Sequence, residues 1–207
     1  QWFYSAFLSP AEQEDFRMLP SSAPYSFCFW GGIEQAERKI LAAGSREDSE
    51  PVFPLAVLKI TPLSLKFAED LTHRDYLGAL MNLGIDRSLI GDILPDGKQA
   101  WVICLSSAKD WILDGLHRVR RTEVSVQEAE PDCEELRPRY VPLSLNVPSE
   151  RLDAIVSGFT GLSREKASGL FPAEKVFVNG RPVLQKDAKL KAGDILSVRG
   201  FGKAVYD

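Results

Sequence analysis

The sequence predicts an α+β protein of two units, a ferredoxin-like βαββαβ body followed by a small, basic αα-β module. Three observations predict it. From Val52 onward, strand-like and helix-like segments alternate in the order β-α-β-β-α-β. Residues 129–148, AEPDCEELRPRYVPLSLNVP, hold four prolines and little periodicity, which marks a linker with at most one strand around Tyr140 to Val147. The charge changes sign across that linker: residues 148–207 carry 10 Lys and Arg against 7 Asp and Glu, a balance of +3, while residues 1–147 carry 15 against 22, a balance of -7. The expected organisation is an N-terminal α/β segment packed on the body (1–50), the body (51–130), the linker (131–147) and the basic module (148–207).

The first segment opens with a short charged helix over 10–19, closed by Pro20. YSFCFWGG then reads as a strand and a Gly-Gly turn, and IEQAERKILAAG as a helix ending at Gly44. The polar SREDSEP, Ser45 to Pro51, reads as a linker. In the body, VFPLAVLKI is an apolar strand. Thr72 with Asp75 forms a capping box for a helix through Leu83, with Tyr76, Leu80 and Leu83 on one face and Gly78 allowing close packing. LIGDIL and QAWVICL are strands joined around Asp96-Gly97, SAKDWILDGLHRV is a second helix, and TEVSVQE closes the sheet. The order alone hosts RNA-recognition domains and unrelated enzymes alike, so function must come from a site.

In the last sixty residues, Leu152, Ile155, Val156 and Phe159 recur at helical spacing, and Ser163 caps a second helix that turns Ala167, Leu170 and Phe171 inward. VFV, Asn179-Gly180 and RPV form a hairpin, because Asn-Gly supplies the two positive φ angles of a type I′ turn, and Gly193-Asp194 leads into ILSVRGFG. Arg151 and Arg164 fall at the starts of the two helices, where a guanidinium and unpaired backbone N–H groups can face one anion together. With Ser163 and Lys166 nearby and a hairpin carrying Lys175, Asn179, Gly180 and Arg181, the set offers several phosphate contacts at fixed separations. That suits a folded RNA backbone better than a small metabolite.

Arg151-Leu152-Asp153, Ser163-Arg164, Val176 to Gly180, and Gly193-Asp194 with Ile195 stand in the order of the S-four RNA-binding domain, which this segment resembles. One departure is visible: that family commonly has glycine just before the Lys-Val of the first strand, and Glu174 stands there. Upstream, THRDYLGALMNLGIDRSLIGDI, the AERK of Ala36 to Lys39, and the closing SVRGFG are similar to the YlmH family of bacterial and plastid proteins. The resemblance implies an RNA-recognition-like body joined to a C-terminal S-four domain. It adds Arg199 and Lys203 of the closing segment to the RNA-binding set. It further implies binding to ribosomal RNA or tRNA on the large ribosomal subunit, with a role in rescue of stalled ribosomes as a further implication; a non-enzymatic factor acting as a monomer is expected.

Other chemistries have weaker support. Cys28, Cys104 and Cys133 are odd in number and outside any C-x-x-C pattern, so no disulfide framework, zinc site or cofactor is expected. Apolar runs such as Trp101 to Leu105 are too short to cross a bilayer, and the first ten residues lack a signal-peptide pattern, so a cytoplasmic, ribosome-associated protein is expected. His73-Arg74-Asp75 lacks the asparagine of a kinase loop, since Leu80 stands there, and GFGK at 200–203 ends in Ala204, unlike a P-loop. His73 and His117 have no partner at ligand spacing. Trp101 lacks the paired aromatics of a base-stacking strand, and Arg74 and Arg87 rank below the C-terminal cations as RNA contacts. Two rivals remain: a pseudouridine-synthase-type enzyme, in which Arg-Leu-Asp carries the catalytic aspartate, and a protein-interaction module using the acidic body.

Overall fold

The computed structural model describes residues 1–18, 25–45, 49–131, 136 and 141–207. The expected stop at Pro20, residues 46–48 of the SREDSEP linker, Cys133 and much of the 131–147 linker lie outside the described residues. The chain forms two compact units, one of residues 1–9 with 16–139 and the other of residues 10–15 with 140–207.

Within the first unit lies a five-stranded antiparallel sheet. Its strands are β4 (Leu55–Pro62), β5 (Ile90–Asp96), β6 (Gln99–Leu105), β7 (Arg118–Val119) and β8 (Thr122–Ala129), in the order β5-β6-β4-β8-β7. Pro54 has no N–H to offer a ladder, so β4 begins at Leu55 rather than Val52. α2 (His73–Asn82) follows β4, and α3 (Ser106–Gly115) follows β6. Thr72 caps α2, its backbone N–H and hydroxyl both donating to Asp75 at 2.8 Å. The alternation of β4 and β6 divides their side chains between two faces. Ala56, Leu58, Ile60, Ala100, Val102 and Cys104 pack under Tyr76, Leu80, Ala108 and Ile112 of the two helices.

The second helix is shorter than the sequence suggests. α3 stops at Gly115, and Arg118-Val119 turn back through Arg120-Arg121 to pair with Thr122 and Glu123. Leu116 and Val119 carry the helical three-residue spacing, yet Leu116 reaches the core as the cap of α3 and Val119 from this hairpin, so periodicity alone misreads the end of the helix.

A larger difference lies upstream. The segment read as a helix over 33–44 contains β3 (Ile40–Ser45), the centre of a three-stranded sheet between β1 (Phe3–Tyr4) and β2 (Tyr25–Trp30). As a central strand it buries Ile40, Leu41 and Ala42 together, which one helical face could not do. Gly44 is required there because a Cβ would meet the Trp2 ring at 2.7 Å. Phe7, Ile33, Ala36 and Ile40 then cover the other face of the five-stranded sheet, over Val57, Trp101 and Ile103. Asp92 pins this cover by accepting the N–H groups of Glu37 at 2.6 Å and Arg38 at 3.0 Å.

The second unit takes α1 residues 10–15 (α1 spans Pro10–Arg17) together with α4 (Leu152–Thr160), α5 (Arg164–Gly169) and strands β9 (Val176–Val178), β10 (Arg181–Pro182), β11 (Ile195–Val198) and β12 (Gly202–Val205). The sheet order is β10-β9-β11-β12. Leu152, Val156, Ala167, Phe171, Val176, Leu196 and Val198 form its core. The strand expected near Val147 is not formed over 141–147; Leu145 and Val147 instead pack on Gly158 of α4, where a Cβ would come within 3.1 Å of Val147.

Candidate functional site

Asp153 organises the helical part of the site. Its side chain is 6% exposed, and it takes two hydrogen bonds from each of two arginines. Arg151 Nε donates to Oδ1 at 3.2 Å and Nη2 to Oδ2 at 3.4 Å; Arg164 Nε donates to Oδ2 and Nη2 to Oδ1, both at 3.2 Å. Burial alone would raise the Asp153 carboxyl, but the hydrogen bonds from Arg164 and Arg151 and their charges outweigh it and hold it below the usual carboxylate range. The two arginine side chains remain 46% and 49% exposed, so one buried anion holds two cations at the surface, where a second anion can reach them. The sequence places Arg151 and Arg164 at two separate helix starts; the geometry brings both onto the one carboxylate of Asp153.

The expected open helix start is not there in α4. Arg151 is the cap rather than a first-turn residue, and the N–H groups of Leu152 and Asp153 donate to the carbonyls of Ala188 and Lys186 at 2.8 and 2.9 Å. Those of Ala154 and Ile155 donate back to Arg151. At α5, the Ser163 hydroxyl accepts from the Lys166 N–H at 3.4 Å, so Ser163 is committed to capping, while the Lys166 side chain is exposed.

On the sheet, register decides which cations meet. Val176, Leu196 and Val198 face the core, so Lys175, Phe177, Ser197 and Arg199 share the outer face, with Lys203 opposite Ser197. Arg199 N–H donates to the Lys175 carbonyl at 2.9 Å, and its guanidinium lies 4.7 Å from the Phe177 ring centre. Burial pushes the Lys203 ammonium down from its ordinary value. Phe177 is the residue that sequence reasoning passes over here, and its alternation with Lys175 was the signal available.

The hairpin turn has the expected backbone, with φ of +51° at Asn179 and +79° at Gly180. Its side chains are committed elsewhere. Asn179 Nδ2 donates to Asp194 at 2.9 Å, and its Oδ1 accepts the Ile195 N–H at 3.0 Å, tying the turn to β11. Gly180 lies against Pro10, where a Cβ would fall 2.6 Å from the proline ring. Arg181 is half-buried, with Nη2 donating to the Asp15 carboxylate and, at 3.4 Å, to the Ala11 carbonyl. Asn179 and Gly180 therefore shape the hairpin, and Arg181 reaches a phosphate only by leaving Asp15.

Glu174 explains the missing glycine. The N–H groups of Glu174 and Lys175 donate to the carbonyls of Phe171 and Leu170, both at 3.0 Å, which is a Schellman closure with Glu174 in the left-handed position at φ +50°. In the first unit, Trp101 is 1% exposed under the N-terminal cover and has no open face on which to stack a base. No group of His, Cys, Asp and Glu suited to a metal ion occurs among the described residues, and Cys28 and Cys104 are free thiols.

Residues 49–132 match the family described as "Putative RNA-binding domain in YlmH". Over 202 residues the chain is 31% identical to "Ribosome-associated protein quality control protein P2" of Bacillus subtilis (strain 168), covering 95% of this chain and 77% of the relative. A solved structure, "Cell division protein ylmH from Streptococcus pneumoniae", is similar with 27% identity and a TM-score of 0.52, covering 62% of this chain and 78% of that one.

Proposed function

The chain belongs to the YlmH family, and from that premise we propose that it is a ribosome-associated RNA-binding protein whose C-terminal unit, of S-four type, holds structured RNA of the large subunit. The observation that carries this reading is the pair of half-exposed guanidiniums fixed on the buried Asp153, in a segment with a balance of +3. The sheet cations Lys175, Arg199 and Lys203 around Phe177 form a second contact surface, suited to backbone with an adjacent unstacked base. The name of the Bacillus subtilis relative supports a place in ribosome-associated quality control, and ribosomal RNA or tRNA is the partner we propose.

The β5-β6-β4-β8 order, with both helices on one face, supports a ferredoxin-like, RNA-recognition-like body. A role without chemistry is the better reading of the Arg-Leu-Asp segment. An aspartate that is buried and engaged by four guanidinium hydrogen bonds is unsuited to attack a nucleobase. We place the protein in the cytoplasm as a monomer; no helix among the described residues is long and apolar enough to cross a membrane. Crosslinking in cells followed by sequencing of the attached RNA tests the reading. Large-subunit RNA or tRNA joined to peptides of 148–207 is the expected result. Absence of RNA, with a protein partner copurifying through residues 1–147, would favour the protein-interaction reading instead.

A further inference from the structure

The acidic first unit contains a cationic cleft. About 550 Å³ in volume, it runs between α2 and the β7–β8 hairpin, with the stripe Arg74, Gly78 and Asn82 on one wall and His117, Arg118 and Arg120 on the other. Asp75 is its one acidic lining residue, and its Oδ2 is already occupied by the Thr72 cap. Arg74 is exposed, and none of the ion pairs among the described residues involves it. Arg118 makes a long, exposed pair with Glu123 at 3.4 Å, of a kind that contributes little and yields to a stronger anion, and Arg120, itself 60% exposed, meets the more buried Asp75 only at 3.5 Å.

Two residues on these walls go against local preference. Gly78 is exposed in the middle of α2, and a Cβ there would meet nothing within 4 Å, so the close packing expected of it is absent and no neighbour requires a glycine. Arg120 has φ +53° in a two-residue turn where glycine or asparagine is favoured. Neither choice helps the fold, and both open onto one cleft. A missing Cβ on α2 lets a ligand approach the helix, and an arginine at the turn tip faces it from the other wall. The sheet face that such bodies could use for stacking bases is closed over Trp101 and Ile103, which leaves backbone recognition.

We propose that the cleft between α2 and the β7–β8 turn binds the sugar–phosphate backbone of an RNA strand, through Arg74, Arg118 and Arg120, as a second contact site besides the C-terminal unit. This rests on the RNA-binding reading above. Its chemistry is planar guanidiniums meeting phosphate oxygens, without sequence readout.

The test uses the full chain and a fluorescein-labelled RNA hairpin of about 20 base pairs, long enough to engage more than one site. Gly78→Gln fills the open space with a better helix former, and Arg120→Gly relieves the turn while removing a cation. Both variants are expected to keep or raise Tm. Affinity should fall about threefold or more in each, and Arg120→Gly should lower the log-log salt slope by about 0.7 to 0.9. A variant that is no less stable yet binds RNA more weakly excludes misfolding as the cause. Wild-type affinity and slope in both variants overturn the proposal, as they would if the cleft seats an acidic protein segment. Arg164→Ala, measured in parallel, separates the two sites: loss there with none in the cleft variants removes only this proposal, and failure of the intact chain to bind the hairpin removes both.

Discussion

Replacing Glu174 with glycine should stabilise the C-terminal unit and strengthen RNA binding together. Glu174 holds a left-handed conformation at φ +50°, and the two closing hydrogen bonds, from its own N–H and that of Lys175, use backbone atoms that any residue supplies. A left-handed non-glycine residue costs about 1–2 kcal/mol. Glycine returns about 0.5–1 kcal/mol of that through the greater freedom of the unfolded chain, so the net gain is about 0.5–1 kcal/mol. For a unit of this size that corresponds to a rise of about 2–8 °C in Tm. The side chain of Glu174 is exposed, so its removal breaks no packing, and the loss of a negative charge beside Lys175 favours a bound phosphate. Thermal denaturation followed by circular dichroism reads the first effect, and RNA titration at fixed salt the second. A lower Tm for the Glu174→Gly variant would refute the strained-closure reasoning, and weaker RNA binding would place Lys175 outside the contact surface.

Three further outcomes follow from the same unit. Asn179→Ala should lower stability by about 1–3 kcal/mol in chemical denaturation, since it removes the hydrogen bonds with Asp194 and Ile195 and leaves alanine at φ +51°. Asp15→Asn should release Arg181 and raise RNA affinity, with a stability change within about 1 kcal/mol because the Asp15 side chain is 66% exposed; unchanged affinity would leave Arg181 a purely structural residue. The Asp153 carboxyl lies below its ordinary range in the folded state, so its contribution is fully present above the unfolded value near about pH 4 and is lost as pH falls through the lower folded value. Acid titration of stability should show that loss in the native chain and a smaller one in Asp153→Asn.

Where local chemistry names one conformation, the sequence is easy to read. The Thr72–Asp75 capping box, the Asp96-Gly97 strand junction and the Asn179-Gly180 turn each specify their geometry within four residues. The segment 33–44 is not legible in that way. Ile33, Ala36 and Ile40 fit a helical stripe, and only the pairing of β3 with β1 and β2, distant in sequence for Phe3 and Tyr4, makes Ile40 to Ala42 a central strand. Arg118-Val119 fails for the same reason: its partner lies beyond a turn whose Arg120 gives no turn signal. In the site, residue types were readable but commitments were not. Arg151 and Arg164 are identifiable as cations near helix starts, yet their shared carboxylate requires the fold, because Asp153 and Arg164 are eleven residues apart. Arg181 and Asn179 look equally available in the sequence, and their bonds to Asp15, Asp194 and Ile195 come from chain segments that no local pattern connects.

The salt dependence of binding to large-subunit ribosomal RNA, compared between the intact chain and Arg164→Ala, tests the phosphate contact most directly. With folding confirmed by circular dichroism, the variant should bind more weakly, with a log-log slope smaller by about 0.7 to 0.9 and a similar loss for RNAs of the same shape and different sequence. A folded Arg164→Ala variant with unchanged affinity and slope would contradict the reading that Asp153 presents its arginines to RNA.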